Sequence, residues 1–219
     1  MVRFPVENAL LFWWEPYKNG AMFSGIIESL SSVNSVEKHE NVVRVQVSKP
    51  DFFQDLRKGD SIACNGVCLT VEDFDSDSIQ FALAYETLQL LQIQPENLIG
   101  QKWNLERSLR FGDRVHGHLV TGHVETLGEV VRSEAWGDSW LLDVRVPSEF
   151  ARAIWKKGSI ALQGVSLTVN DFSEGIVSVC LIPETIKRTN LSQVKPGQKI
   201  NIETDYLAKA YFQGRDHEL

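Results

Sequence analysis

Cysteine is scarce: three thiols in 219 residues, with no secretory leader ahead of them. That is too few for the disulfide framework of a small secreted domain, so they read as reduced thiols of a cytoplasmic protein. No apolar run approaches the ~20 residues that a membrane span needs. Basic residues are outnumbered by acidic ones, 22 to 29, and the net charge of −7 speaks against nucleic acid, which would require a basic face. His116, His118 and His123 stand close together, but no paired-cysteine motif joins them, so no metal site is expected. Residues 1–21 lack a basic leader, and their apolar centre is short and bracketed by Pro5 and Pro16, so they do not form a signal peptide. They read as an N-terminal extension, either a disordered tail or sequence upstream of a true start at Met22.

What the chain does contain is itself, twice. Ser61-Ile-Ala-Cys-Asn-Gly-Val-Cys-Leu-Thr-Val71 recurs as Ser159-Ile-Ala-Leu-Gln-Gly-Val-Ser-Leu-Thr-Val169, 98 residues on. Asp73-Phe74 and Glu86-Thr87 recur at the same distance as Asp171-Phe172 and Glu184-Thr185. On either side the spacing drops to 97: Ser24-Gly25 matches Thr121-Gly122, and Gly100-Gln101-Lys102, Asn104 and Glu106 match Gly197-Gln198-Lys199, Asn201 and Glu203. Periods of solenoid arrays are far shorter. Two copies of one small domain follow, at 22–115 and 116–205, with a C-terminal helix and tail at 206–219.

Within the motif the apolar set changes parity across Asn65-Gly66, from Ile62 and Cys64 to Val67, Leu69 and Val71, and likewise across Gln163-Gly164. Strand side chains alternate faces, so the change is expected to mark a bulge or sharp bend in one strand over 61–74. Cys68 and Thr70, like Ser166 and Thr168, then oppose the apolar face. Short polar side chains beside a glycine let a flat ligand approach the backbone, although the same residues could simply face solvent. Other expected strands are 22–30, 41–48, 79–84 and 103–106, with their counterparts in the second copy. Pro50 and Pro147 are expected to start short helices, and 206–213 has helical spacing. Short strands with frequent turns, repeated, point to an all-β architecture of two small antiparallel barrels.

Met22-Phe-Ser-Gly-Ile-Ile27, Asn65-Gly-Val-Cys-Leu-Thr-Val71, Gly117-His-Leu-Val-Thr-Gly-His123, Gly164-Val-Ser-Leu-Thr-Val169 and Ile182-Pro-Glu-Thr185 resemble the riboflavin synthase α-chain family, in order and over residues 22–207. The resemblance implies two tandem six-stranded Greek-key barrels with short helices, and a C-terminal helix that assembles a homotrimer. It implies no cofactor and no metal, and association with lumazine synthase. The implied reaction is a dismutation of two 6,7-dimethyl-8-ribityllumazine molecules into riboflavin and 5-amino-6-ribitylamino-2,4-pyrimidinedione. Carried over by position, an N-terminal pocket comprises Gly25, Ile26, Ile27, Cys68, Leu69, Thr70, Ala82, Leu83, Ala84, Tyr85, Glu86 and Thr87. A C-terminal pocket comprises Gly122, His123, Val124, Lys157, Ser166, Leu167, Thr168, Cys180, Leu181, Ile182, Pro183, Glu184 and Thr185.

Catalytic candidates by the same resemblance are Cys68, Ser61, His123 and Asp205. Each has a plainer reading. Cys68 is a nucleophile or proton carrier that would ionise near a cation, or a small packed residue whose place a serine fills in the other copy. Ser61 activates an added nucleophile, or is a strand-edge hydroxyl. His123 transfers protons, or is merely hydrogen-bonded. Asp205 serves a ribityl chain or proton relay, or caps the final helix. Lys157 has a twin in Lys58, so a turn role competes with ligand contact. Against the enzyme stand a non-catalytic lumazine- or flavin-binding protein of the same fold, a flavin reductase domain and an interaction module. Both Cys-Leu-Thr and Ser-Leu-Thr are intact, which disfavours the first, and no glycine-rich nucleotide turn follows, which disfavours the second.

Overall fold

The computed structural model describes residues 21–216 except Asn41; the extension expected at residues 1–21 therefore lies, but for Ala21, outside the described residues. The first half supplies β1 (Ser29–Lys38), β2 (Val42–Ser48), β3 (Ser61–Cys64), β4 (Val67–Phe74), β5 (Ser78–Ala84), α1 (Tyr85–Leu90) and β6 (Lys102–Arg107). The second supplies β7 (Thr126–Trp136), β8 (Ser139–Arg145), β9 (Ser159–Leu162), β10 (Val165–Thr168), β11 (Asp171–Ser173), β12 (Ile176–Leu181), α2 (Pro183–Arg188) and β13 (Lys199–Thr204), before α3 (Tyr206–Asp216). Every pairing between these strands is antiparallel.

The first six strands close into a barrel in the order β1-β2-β5-β4-β3-β6. The second half forms a seven-stranded sheet, β10-β9-β13-β7-β8-β12-β11, which is the same order with one strand cut in two. The cut has a precursor: β4 carries an irregularity between Val71 and Asp73, and its repeat partners Val169-Asn170 separate β10 from β11. A bulge in one copy has become a break in the other.

Alternation decides which side chains fill each barrel. Val43, Val45 and Val47 of β2 are fully buried, as are Ile79 and Phe81 of β5, and they pack with Ile62, Val71 and Leu105. Leu142, Val144, Ile160, Leu162, Val177 and Leu181 do the same in the second half. Each such side chain contributes roughly 1.5–3 kcal/mol on leaving water.

Three local expectations are corrected. The 61–74 stretch is a hairpin rather than one bent strand, because Cys64 pairs with Val67 and Ser61 with Thr70. Asn65 and Gly66 both have positive φ (48° and 82°), the requirement of a two-residue type I′ turn, and Asn-Gly is its strongest signal. The parity change is the chain reversing direction. Residues 50–56 are turns, not a helix; Phe53 and Leu56 are buried while Phe52 is exposed, and so short a run has little to nucleate it. The counterpart at Ser148–Ala153 forms a 3-10 turn. Finally, residues 22–28 are not a strand of their own barrel. Phe23 instead bridges to Val120 in the other half, with N–H···O distances of 2.8 and 3.0 Å.

The halves meet at matched positions. Phe23, Val120, Ala63 and Ala161 form a buried seam, and the two hairpin glycines lie tip to tip. A Cβ on Gly66 would fall 2.8 Å from the Gly164 nitrogen, and one on Gly164 2.6 Å from that of Gly66. Only glycine fits both the left-handed backbone and the contact.

Candidate functional site

Two sites of similar build follow from that seam, and each takes residues from both halves. The segment leading into β1 crosses over: Ser166 N–H donates to the Gly25 carbonyl at 2.8 Å, and Ile27 is buried in the second core. The segment leading into β7 crosses back, so that Cys68 N–H donates to the Gly122 carbonyl at 2.8 Å. A Cβ on Gly25 would fall 2.6 Å from Ser166 Cβ, and one on Gly122 2.6 Å from Cys68 Cβ. The expected grouping is thereby exchanged. Gly25, Ile26 and Ile27 belong with Ser166, whereas Gly122, His123 and Val124 belong with Cys68.

Each crossing segment is pinned by a buried carboxylate. Glu106 accepts from Ser24 N at 2.7 Å, Ser24 Oγ at 2.8 Å and Gly25 N at 2.9 Å. Glu203 accepts from Thr121 N at 2.6 Å, Thr121 Oγ1 at 2.8 Å and Gly122 N at 3.0 Å. Burial drives both carboxyls above the ordinary range against the pull of those donors, Glu106 to about 7. Folded protein then holds a proton at Glu106 that the unfolded chain has released, so stability linked to this group falls as pH rises from about 4.5 to about 7. The loss has an upper bound of about 3 kcal/mol. Urea midpoints at pH 5 and pH 8 check this: Glu106→Gln is expected to flatten the decline over that interval.

Alternation sorts the carried-over residues. Thr70 and Thr168 are exposed, Cys68, Ser166, Ala82 and Cys180 are half-buried, and Ala84 is exposed, all on outward faces. Leu69, Leu83, Leu167 and Leu181 point into the barrel cores, at 6%, 2%, 8% and 0% exposure. To a ligand on the outward face they can offer only their backbone. Ile26 and Ile182 present apolar side chains to solvent, at 45% and 60%. Tyr85, Glu86 and Thr87 open α1; Pro183, Glu184 and Thr185 open α2, where Glu184 pairs with Arg188.

The titratable candidates separate. Burial pushes the Cys68 thiol up, opposed by a hydrogen bond from Ser61 and reinforced by the Glu203 charge. Among the described residues no cation acts on it, so the expectation of an easily ionised thiol is corrected. Ser166, in the matching place, has a different neighbour: its Oγ lies 2.7 Å from His118 Nδ1. Among the described residues His118 Nε2 is buried without a hydrogen-bond partner, and burial lowers the ring's pKa while the Asp205 charge opposes that. The repeat partner of His118 is Ala21, so the two sites differ here as well as at Cys68/Ser166. His123 is exposed, with its N–H 3.3 Å from Thr121 Oγ1. Asp205 Oδ1 accepts from Leu207 N at 2.9 Å and Ala208 N at 3.3 Å, which makes it the cap of α3. Lys157 is exposed in a turn with φ 68°, and its N–H donates to the Val169 carbonyl at 2.7 Å.

Sequence reasoning missed the surroundings of Ser61. A cleft of about 940 Å³ runs beside it, lined also by Ser24, Ile26, Glu28, Arg107, Arg114 and His116. Arg107 is held there by Glu28 at 2.6 Å and Asp55 at 2.5 Å. The signal available was the run of arginines between the copies, which reads as a mere linker. The two crossed sites offer hydroxyls, thiol and imidazole beside glycine, a set suited to a flat ring with a polyol tail.

Comparison with known proteins agrees with this duplication. A family model described as "Lumazine binding domain" matches residues 24–108 and again 121–205. Riboflavin synthase of Bacillus subtilis (strain 168) is 34% identical over 192 residues, 88% of this chain and 89% of that protein. Riboflavin synthases of Brucella abortus (strain 2308) and Escherichia coli (strain K12) are 37% and 35% identical, covering 86% of this chain and 95% and 89% of theirs. Among solved structures, LumP complexed with riboflavin superposes with a TM-score of 0.75 at 24% identity, over 83% of this chain and 98% of that one. LumP complexed with 6,7-dimethyl-8-(1′-D-ribityl)lumazine gives 0.72 at 22%, with the same coverage. These two share the fold. With a lumazine-binding domain in each half and riboflavin synthases as relatives over most of its length, the chain belongs to the riboflavin synthase family.

Proposed function

We propose that the chain is a riboflavin synthase, with one domain over 22–115, a second over 116–205 and a helical tail beyond. Two 6,7-dimethyl-8-ribityllumazine molecules react: one gives up a four-carbon unit and leaves as 5-amino-6-ribitylamino-2,4-pyrimidinedione, and the other gains it to become riboflavin. Atoms balance without an oxidant or a cofactor. The observation that carries this reading is the pair of crossed sites, alike in backbone and unlike at Cys68/Ser166 and Ala21/His118. A reaction between two identical molecules in different roles asks for similar binding and different chemistry.

At each site the outward threonine, Thr70 or Thr168, takes the ribityl hydroxyls. Strand β5 or β12 offers backbone groups to the pyrimidine edge. The electron-poor ring makes its 7-methyl group acidic, and proton transfer falls to groups at its rim: His123 and Cys68 at one site, His118 beside Ser166 at the other. Cys68 acts as a neutral thiol, with Ser61 next to it fixing a water for attack on the ring. Holding the two rings together supplies orientation worth several kcal/mol of the barrier, on the order of that measured for intramolecular reactions. The active form is a homotrimer, in which sites of neighbouring subunits face each other. Support for that assembly is the apolar surface of α3, where Tyr206, Leu207 and Tyr211 are 46%, 65% and 58% exposed.

Assay of Cys68→Ser and His123→Ala beside wild type tests the roles. Serine already occupies the equivalent place at the other site, so Cys68→Ser is expected to retain turnover within about tenfold. Loss of a proton-transfer group costs about 10²-fold or more, and His123→Ala is expected to lose that in kcat with ribityllumazine affinity preserved. Equal, small effects in both variants would overturn the assignment of His123.

A further inference from the structure

The halves also meet through a near two-fold set of amides, and one side of it is unfinished. On the finished side Asn190 closes a ring with Asn65 and Asn104. Its backbone N–H donates to Asn104 Oδ1 at 2.9 Å, and its Oδ1 accepts from Asn104 Nδ2 at 2.9 Å. Its Nδ2 donates to Asn65 Oδ1 and to the Lys102 carbonyl, both at 3.0 Å. Asn190 is 7% exposed and Leu191 beside it is fully buried.

The repeat puts Gln163, Asn201 and Lys199 where Asn65, Asn104 and Lys102 stand. The two pairs are built alike. Asn201 N donates to Gln163 Oε1 at 3.0 Å and Asn201 Nδ2 to the Asn65 carbonyl at 2.9 Å. Asn104 N donates to Asn65 Oδ1 at 2.8 Å and Asn104 Nδ2 to the Gln163 carbonyl at 2.9 Å. The residue that matches Asn190 is Gln92, 98 positions earlier. Its backbone is left-handed, φ 51°, where Asn190 has φ −82°. Its side chain turns outward, and Oε1 accepts from Lys199 Nζ at 2.7 Å. Among the described residues nothing bonds Asn201 Oδ1 or Gln163 Nε2. In the vacated place lies a cavity of about 260 Å³, with Gln163 and Asn201 on its wall and apolar Leu69, Leu83, Trp103 and Leu127 around them.

We propose that this cavity is a second ligand site, which takes a small uncharged planar ring bearing a primary carboxamide or lactam edge. The ligand's N–H donates to Asn201 Oδ1, as the Asn190 backbone N–H donates to Asn104 Oδ1 on the other side, and its carbonyl accepts from Gln163 Nε2. The ring plane packs on the leucines and Trp103, which a polar molecule without an apolar face would not satisfy. Of the carried-over residues its lining includes only Leu69 and Leu83, whose side chains point inward, so the site is separate from the outward faces and does not rest on the proposed reaction.

Benzamide is the probe, with toluene (no amide edge) and benzoate (acceptors without a donor) as controls, titrated into the full chain and followed by ¹H–¹⁵N NMR. The expected result is saturable binding with a Kd of about 1 mM, a reasonable strength for a fragment of this size. The side-chain amide signals of Gln163 and Asn201 shift, and contacts appear between benzamide ring protons and Leu69, Leu83 and Trp103. Leu127→Trp fills the cavity and weakens binding at least about tenfold, which is roughly one power of ten in Kd. Absence of saturable shifts at those amides, equal response to toluene or benzoate, or unchanged binding to folded Leu127→Trp protein overturns the proposal. Should that variant fail to fold, the wild-type contacts decide alone.

Discussion

Gly122→Ala is expected to cut riboflavin formation at least about 100-fold, the scale set by a misplacement of about 1 Å in an oriented site. A methyl group there falls 2.6 Å from Cys68 Cβ and 2.9 Å from Cys68 N, on a backbone with φ 76° that disfavours any side chain. The 2.8 Å bond from Cys68 N–H to the Gly122 carbonyl must lengthen, carrying the segment that leads into His123 and Val124 away from Cys68. The damage is confined to one site. Gly25→Ala is the mirror experiment, since its methyl falls 2.6 Å from Ser166 Cβ. Each variant is expected to keep one class of ribityllumazine sites and lose the other, so equilibrium binding should show half the wild-type capacity while turnover collapses. Full turnover in either variant would show that the crossing segments do not shape the site.

The second large effect falls on stability. Glu203→Ala is expected to destabilise the fold by about 3 kcal/mol, because Thr121 N, Thr121 Oγ1 and Gly122 N all lose their acceptor and water cannot reach every one of them. Glu203→Gln keeps an oxygen in place and is expected to cost about half as much. Chemical denaturation measures both. A cost for Glu203→Ala near zero would mean that the segment at 121–122 is held by something other than this carboxylate.

These two expectations draw on features that were legible to different degrees. The duplication, the all-β class and most strand positions could be read directly, because Val43, Val45 and Val47 alternate and the halves repeat at near-constant spacing. The outward placement of Cys68, Thr70, Ser166 and Thr168 could also be read from parity. The hairpin was misread because a change of parity looks the same for a bend and for a reversal. Asn65-Gly66 was the clue that separates them.

Which copy's segment covers which site could not be read at all. Gly25 and Gly122 sit in equivalent sequence contexts, and nothing local says that each packs on the other half. Glu106 and Glu203 were visible only as repeat markers. Their role has a signature after the fact: Trp103, Asn104, Leu105 and Glu106 are all buried, as are Ile200 through Thr204. A strand buried on both faces must satisfy its polar side chains internally. The same logic places Asn104 and Asn201 in the seam. His118 was legible as a histidine near others, but its pairing with Ser166 depends on the turn at 117–118 passing beside Ser24. The backbone confirms that closeness, with His118 N–H donating to the Ser24 carbonyl at 3.2 Å.

Among the described residues no helix is long and apolar enough to cross a membrane. The exposed residues on α3, by contrast, leave an apolar surface that the proposed trimer would cover, and truncation of α3 would separate assembly from folding of the barrels.

A synthase differs from a binding protein of the same fold in that like molecules, seated in matched cradles, exchange carbon. Purified protein supplied with 6,7-dimethyl-8-ribityllumazine alone should yield one riboflavin and one pyrimidinedione for every two lumazines consumed, quantified together by chromatography. Tight, saturable retention of the lumazine with neither product formed would contradict it.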